Sequence, residues 1–213
     1  LLNLFSHHSY NMVRFFSMHV ANDLSKLLEK NKFDIIQLET LFCTPYIETI
    51  RKYSKAKIVL RSHNVEHIIW ERLAVSEKKI LKKKYLNLLA GRLKQYELKT
   101  LSAIDGIISI TSVDENIFKS LGFKGPILSI PLGIDVNDYV NSTSEKSEMV
   151  LYHLGSMDWL PNLEGVEWFL KECWTKIHQY NPQAKLFLAG RDFPQHIIDA
   201  HYPNVTCDGL VAD

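Results

Sequence analysis

The stretch AKIVLRSHNVEHIIWERLA, residues 56–74, decides the fold class. It begins with the apolar run Ile58–Leu60, which predicts a strand buried on both faces. A short polar segment, Ser62–Asn64, follows, and a helical pattern then begins near Val65. A buried strand that passes directly into a helix is the first half of a strand–helix–strand unit.

The same alternation recurs along the chain and predicts an α/β fold with parallel sheets. The predicted strands cover residues 33–39, 56–62, 106–111, 127–133, 149–155 and 184–190, with a weaker one at 204–210. The predicted helices cover residues 15–29, 45–53, 66–101, 113–121 and 163–180. Such repetition implies right-handed crossovers between neighbouring parallel strands.

One polar segment, DVNDYVNSTSEKSE at 135–148, interrupts the alternation and separates two strand–helix series. Because it is rich in Ser, Asn and Glu and has no periodicity, we interpret it as a hinge. We therefore expect an N-terminal domain over 1–138, a linker over 139–148 and a second sheet domain over 149–213. The abrupt ends LLNLF and GLVAD suggest a piece of a longer protein.

The composition excludes several classes of protein. The 213 residues are 46% hydrophobic and carry a net charge of +1, which gives no global reason to expect a nucleic-acid partner. The three cysteines, Cys43, Cys173 and Cys207, lie far apart and form no C-x-x-C pair, which favours a reducing, cytoplasmic compartment. No spacing of His, Cys and carboxylates predicts a metal site. No apolar run approaches the roughly 20 residues of a membrane helix.

Polar residues follow the strands at the edge where open parallel sheets bind ligands. His63 is a candidate to donate to an anionic or carbonyl group, or to exchange a proton near neutral pH. Ser62 or Asn64 could cap the following helix, and Glu66 would favour its positive end. The simpler interpretation, a polar helix cap without a ligand, is favoured on the residues alone. His67, Trp70 and Arg72 are interpreted as packing residues.

Two further features have a functional and a structural interpretation. Gly155 and Gly190 would let backbone amides approach a phosphate, and Arg191 could pair with one, although no glycine-rich phosphate motif occurs. The helix that contains Lys78 to Lys84 could contact an anionic membrane at the inner face. The favoured alternative is a solvated helix whose apolar stripe, from Leu81 to Tyr96, packs on the sheet.

The blocks IVLRSHNVEHIIWERLA, ISITSVDENIFKSLG, ILSIPLGID, LYHLGSMDWLPNLEGVEWFL and AKLFLAG resemble family 4 glycosyltransferases of the GT-B fold. The resemblance covers nearly the whole chain. It implies two Rossmann-like domains, an acceptor-side one and a nucleotide-sugar-binding one. It also implies transfer of a sugar, with retention, from a UDP- or GDP-linked donor to a glycan or lipid-linked acceptor. Cell-surface polysaccharide synthesis is the expected setting, without a separate cofactor.

The resemblance also assigns roles to individual residues. His63 matches the histidine that contacts the donor sugar in relatives. From their position beside it, we assign Asn64 and Glu66 to capping and positioning, with contact to the acceptor as the alternative. Gly155 and Ser156 match the loop against the donor phosphates. Many relatives have an arginine and a lysine where this chain has Ser156 and Asn162. The family's paired glutamates, near the end of the donor site, are absent because the sequence stops first.

Two alternatives to a transferase stay open. One is a nucleotide-sugar epimerase of the same fold. The other is a degenerate transferase that acts as a binding subunit, to which the serine and asparagine substitutions give weight. In the transferase interpretation, Arg191 in the neighbouring loop, beside Gly190, is a candidate for neutralising the leaving diphosphate. We expect the chain alone to be inactive.

Overall fold

A computed structural model describes residues 9–138 and 149–211 of the chain. The chain divides into two compact units, Leu1–Val136 and Asn137–Asp213. The predicted linker, 139–148, lies outside the described residues. Each unit contains one parallel sheet, with four strands in the first unit and three in the second, and in both sheets neighbouring strands follow one another in the sequence.

The elements of the first unit alternate as the sequence predicts. They are α1 (Tyr10–Val13), α2 (Met18–Lys30), β1 (Ile35–Glu39), a 3-10 helix (Leu41–Tyr46), α3 (Ile47–Tyr53), β2 (Lys57–Ser62), α4 (Glu66–Ser76), α5 (Ile80–Leu101), β3 (Gly106–Ser109), α6 (Ser112–Ser120) and β4 (Ile127–Ser129). A short 3-10 turn (Val136–Asp138) spans the boundary between the two units. The core forms where Ile58, Leu60 and Ile107 of the sheet meet Leu93 and Phe118 of the helices.

The second unit has the same architecture on a smaller sheet. Its elements are β5 (Val150–Leu154), α7 (Leu160–Trp168), a π-helix (Phe169–Trp174), α8 (Thr175–Tyr180), β6 (Lys185–Ala189), α9 (Gln195–Ile198) and β7 (Val205–Gly209). Its core contains Trp174, Leu186 and Leu188. The Trp174 indole is fully buried and donates to the Pro203 carbonyl at 2.9 Å, so the large side chain leaves no polar atom unpaired.

Several predicted elements differ in extent from those of the structure, and two of these differences have a visible physical cause. The predicted helix over 66–101 is two helices, because Glu77 and Lys79 adopt extended backbone angles between α4 and α5. The Glu77 carboxylate accepts from the Lys79 amide at 2.9 Å, which stabilises this break. The predicted strand over 127–133 ends at Ser129, two residues before Pro131, a residue that has no N–H to continue the ladder.

Candidate functional site

The carboxyl ends of β1 and β2 bring several polar side chains together in the first unit. Glu39, the last residue of β1, lies opposite Arg61 in the parallel register. His63 follows β2 by one residue. Both strands run in the same direction, so residues that follow them meet at one edge, which is where ligands bind in open α/β sheets.

Glu39 holds His63 in place. Its Oε2 lies 3.1 Å from His63 Nε2. Its Oε1 lies 3.6 Å from an Arg61 nitrogen and accepts a hydrogen bond from Gln37 Nε2 at 2.5 Å. Partial burial would raise the pKa of Glu39, but hydrogen bonds from Gln37 and His63 and the charge of Arg61 outweigh it, so the pKa is lowered. The imidazole is 38% exposed and thus accessible from solvent. Sequence reasoning missed Glu39, although a carboxylate that ends a predicted strand is a signal for it.

A carboxylate from another helix caps α4. Val65 occupies the N-cap position, and the Ser62 hydroxyl donates instead to the Asn64 carbonyl. The backbone amides of Glu66 and His67 both donate to Glu97 of α5, each at 3.2 Å. The prediction that Ser62 or Asn64 caps this helix is therefore wrong. Both candidates are replaced by an acceptor that lies about thirty positions away in the sequence.

His67 and Glu97 form a buried pair behind this cap. His67 Nδ1 lies 2.5 Å from Glu97 Oε2, and the two side chains are 2% and 1% exposed. A carboxylate that receives two backbone amides and an imidazole has its charge compensated although it is removed from water. His67 is thus a packing residue, as its sequence position indicates, and it fixes the helix that follows His63.

Glu66 lies close to both His63 and Glu97. Burial and the nearby Glu97 carboxylate raise its pKa to about 7, although a hydrogen bond from the Asn64 side chain and the charge of His63 oppose the change. Glu66 and Asn64 therefore contact each other next to His63. A carboxyl group with a pKa near neutrality can hold or release a proton under physiological conditions.

In the second unit, two glycines let the loops after β5 and β6 touch. Gly190 has a φ of +132°, and a Cβ placed on it would lie 1.9 Å from the Gly155 carbonyl oxygen. The amide of Gly155 donates to the Ala189 carbonyl at 3.0 Å. Gly190 thus allows a close approach of two backbones that a larger residue would separate. A Cβ on Gly155 would instead meet the side chains of His153 and Asn162, at 2.9 and 3.2 Å.

Arg191 connects the same two loops through its side chain. Its Nε donates to the Ser156 hydroxyl at 2.9 Å, and its Nη2 donates to Asp158 at 3.3 Å. The Ser156 hydroxyl in turn donates to Asp158 at 2.6 Å. This hydrogen bond and the charge of Arg191 lower the pKa of Asp158 despite the opposing effect of burial. Asn162 of α7 donates to the Ser156 carbonyl at 3.0 Å and completes the group.

The five candidate residues of the second unit therefore lie together at the carboxyl edge of its sheet. Asp158, which the sequence pattern did not single out, accepts a hydrogen bond from the guanidinium of Arg191. The Ser156 hydroxyl, the Arg191 guanidinium and the backbone groups of the two loops lie together at an exposed edge. Groups of these kinds bind phosphate oxygens. In residues 9–138 and 149–211, no three His, Cys, Asp or Glu side chains are placed to hold a metal ion.

Comparison with known proteins identifies the fold. No protein-family model matches the chain, and no curated protein matches it by sequence. Among solved structures, sucrose-phosphate synthase from Thermosynechococcus elongatus superposes with a TM-score of 0.62 at 16% identity, over 90% of this chain and 49% of that one. The chain has the Rossmann-like GT-B fold.

Two further GT-B structures agree with this. HepE from Anabaena, solved in complex with UDP and glucose, matches with a TM-score of 0.62 at 14% identity, over 93% of this chain and 54% of that one. Trehalose 6-phosphate synthase from Burkholderia multivorans matches with a TM-score of 0.56 at 10% identity, over 92% and 49%. The chain spans about half the length of these GT-B proteins.

Proposed function

We propose that the protein is a glycosyltransferase that moves a sugar, with retention, from a UDP- or GDP-linked donor to a glycan or lipid-linked acceptor. We further propose that it acts in cell-surface polysaccharide synthesis at the cytoplasmic face of the membrane. The GT-B fold supports this proposal. The observation that carries it is the His63–Glu39 pair at the carboxyl edge of the first sheet, 3.1 Å apart and open to solvent.

The pair suits a role at the sugar. A carboxylate at His63 Nε2 fixes the ring and favours a proton on that nitrogen, which leaves Nδ1 to face a ligand. We place Nδ1 against a hydroxyl of the donor sugar. During transfer the bond from C1 to the diphosphate breaks, the acceptor oxygen bonds C1 on the same face, and the acceptor proton passes to the diphosphate. The protein contributes by positioning these groups and by stabilising the developing charge.

The second unit would hold the donor phosphates through the Ser156 hydroxyl and the Arg191 guanidinium. Asp158 already compensates part of the arginine charge, so attraction of a diphosphate is weaker than for a free arginine. This observation favours a second candidate function. In it, the protein is a degenerate transferase that binds a nucleotide-sugar, or a partner enzyme, without turnover.

The test is turnover of UDP- and GDP-sugars by the full-length protein, measured as nucleotide release and as sugar transfer. We expect His63→Ala to lower kcat/KM by roughly 100-fold or more. The matched control is His19→Ala on α2, because its side chain is 87% exposed and outside the site. Equal activity of the two variants would remove His63 from the mechanism. Nucleotide-sugar binding by calorimetry without any turnover would establish the binding subunit instead.

A further inference from the structure

The connection between α4 and α5 carries a dense cluster of lysines. We call residues 75–85 the basic tip: the end of α4, the turn and the start of α5. Five lysines against one glutamate give it a formal charge of +4, although the whole chain carries +1. Glu77 binds Lys82 at 2.5 Å, and Lys83 donates to the Val75 carbonyl. All five lysines are exposed.

Apolar side chains are exposed among these lysines. Val75 and Ile80 are 74% and 72% exposed, and Leu81 is 83% exposed. Leu81 begins a stripe at helical spacing that continues through Tyr85 and Leu88, which are both more than a third exposed. Exposed leucine and isoleucine side chains that adjoin one another mark an interaction surface rather than an ordinary solvated helix face.

This exposed stripe lies on a different side of α5 from the residues that pack on the core. The buried side chains of α5 include Leu86, Leu89, Ala90 and Leu93. The expectation that one stripe from Leu81 to Tyr96 packs on the sheet is thus wrong for its first part. Successive residues turn by about 100° in a helix, so α5 presents two apolar sides, one buried and one open.

We propose that the basic tip binds the surface of a bilayer that contains anionic lipids. The ammonium groups would pair with lipid phosphates, while Ile80, Leu81 and Tyr85 enter the headgroup region. An acidic protein would satisfy the lysines but would not account for the exposed aliphatic side chains between them. Among the described residues, no helix is long and apolar enough to cross a membrane. The proposal concerns attachment at the surface.

This inference goes beyond sugar transfer and is tested without donor or acceptor, so it can fail or hold independently. The assay is co-flotation of the full chain with vesicles of phosphatidylcholine containing phosphatidylglycerol, against vesicles of phosphatidylcholine alone. We expect binding to the anionic vesicles only, with an affinity that falls as salt is added.

The charge is tested with Lys78→Gln/Lys84→Gln, which removes two charges from the basic tip. Each lysine near an anionic surface contributes about fivefold to binding, so we expect a loss of roughly 25-fold. The matched control is Lys32→Gln/Lys55→Gln, which removes two exposed lysines from the turns before β1 and β2. An equal loss in the control would show a general charge effect and overturn the assignment to the tip.

The apolar contribution is tested with Leu81→Gln, which keeps every charge. We expect a loss of roughly tenfold or more in vesicle binding, because a leucine leaves water when the tip enters the interface. Leu27→Gln is the control, since Leu27 is 50% exposed on α2. Thermal unfolding of all four variants checks the fold. Two results together would overturn the proposal: Leu81→Gln binds the anionic vesicles as tightly as the wild type, and heparin captures the two proteins equally. They would mean that the basic tip is a polyanion site that suits an acidic protein.

Discussion

Replacing Glu66 by Gln should stabilise the first unit above neutral pH and leave it unchanged in mild acid. The pKa of Glu66 rises from its ordinary 4.5 to about 7, because the side chain is buried and faces Glu97. At about 1.4 kcal/mol for each tenfold change in proton affinity, this rise corresponds to about 3 kcal/mol. The side chain of Asn64 donates to the carboxyl group, and a glutamine oxygen would accept the same hydrogen bond.

The sign follows from proton binding. Between pH 4.5 and about 7 the folded protein retains the Glu66 proton while the unfolded chain has lost it, so stability falls as the pH rises through this window. Glutamine does not ionise, and therefore the variant escapes this loss. We expect equal free energies of unfolding near pH 4.5, and a variant more stable by about 3 kcal/mol near pH 8.

Hydrogen–deuterium exchange of the β2 amides measures this difference within the first unit. Wild type and variant are compared at the same pH, so the chemical exchange rate cancels. At alkaline pH the variant should exchange roughly 100-fold more slowly. Glu71→Gln, on the same helix but 44% exposed, is the control. An identical ratio of rates at both pH values would refute the assignment of a raised pKa to Glu66.

Two further substitutions probe packing and charge elsewhere. Gly190→Ala should destabilise the second unit by about 2–4 kcal/mol, because its Cβ would overlap the Gly155 oxygen at a positive φ. Gly165→Ala is the control and should not destabilise the unit, since a Cβ at that position would meet no neighbour within 4 Å. Urea unfolding, followed by tryptophan fluorescence, distinguishes the two variants. Asp105→Asn should cost about 1–2 kcal/mol at pH 7, since hydrogen bonds from Arg51 and from a backbone amide lower the pKa of the carboxyl. That cost should shrink as the pH falls below about 4, and a cost independent of pH would contradict it.

The alternation of apolar runs and helical patterns predicts the fold because both sheets are parallel and buried. Ile58 and Leu60 are fully buried, and the run that contains them is the strand that the pattern predicts. The helix break at Glu77–Lys79 was not predictable from periodicity, since the apolar spacing continues across it. At the break, the Glu77 carboxylate accepts a hydrogen bond from the amide two residues later, a contact that hydrophobic spacing does not encode.

The site was predictable in position but not in its contacts. A polar residue that follows a buried strand must lie at the carboxyl edge, and this alone places His63. Its partner Glu39 is 24 positions earlier, and the cap of α4, Glu97, is about 30 positions later than the amides it accepts. Pairing over such distances is decided by strand order and helix rotation, which hydrophobic spacing does not specify.

Each unit orients its candidate ligand-binding side chain with a carboxylate of its own. Glu39 accepts from His63 in the first unit, and Asp158 accepts from Arg191 in the second. A fixed carboxylate orients its partner before a ligand arrives, which lowers the entropic cost of binding. The Asp158 carboxylate also reduces the attraction of Arg191 for an anion, so a diphosphate must displace Asp158 to reach the guanidinium. Asp158→Asn should therefore tighten nucleotide binding if Arg191 meets the phosphates, and it should leave binding unchanged if the arginine only joins the two loops.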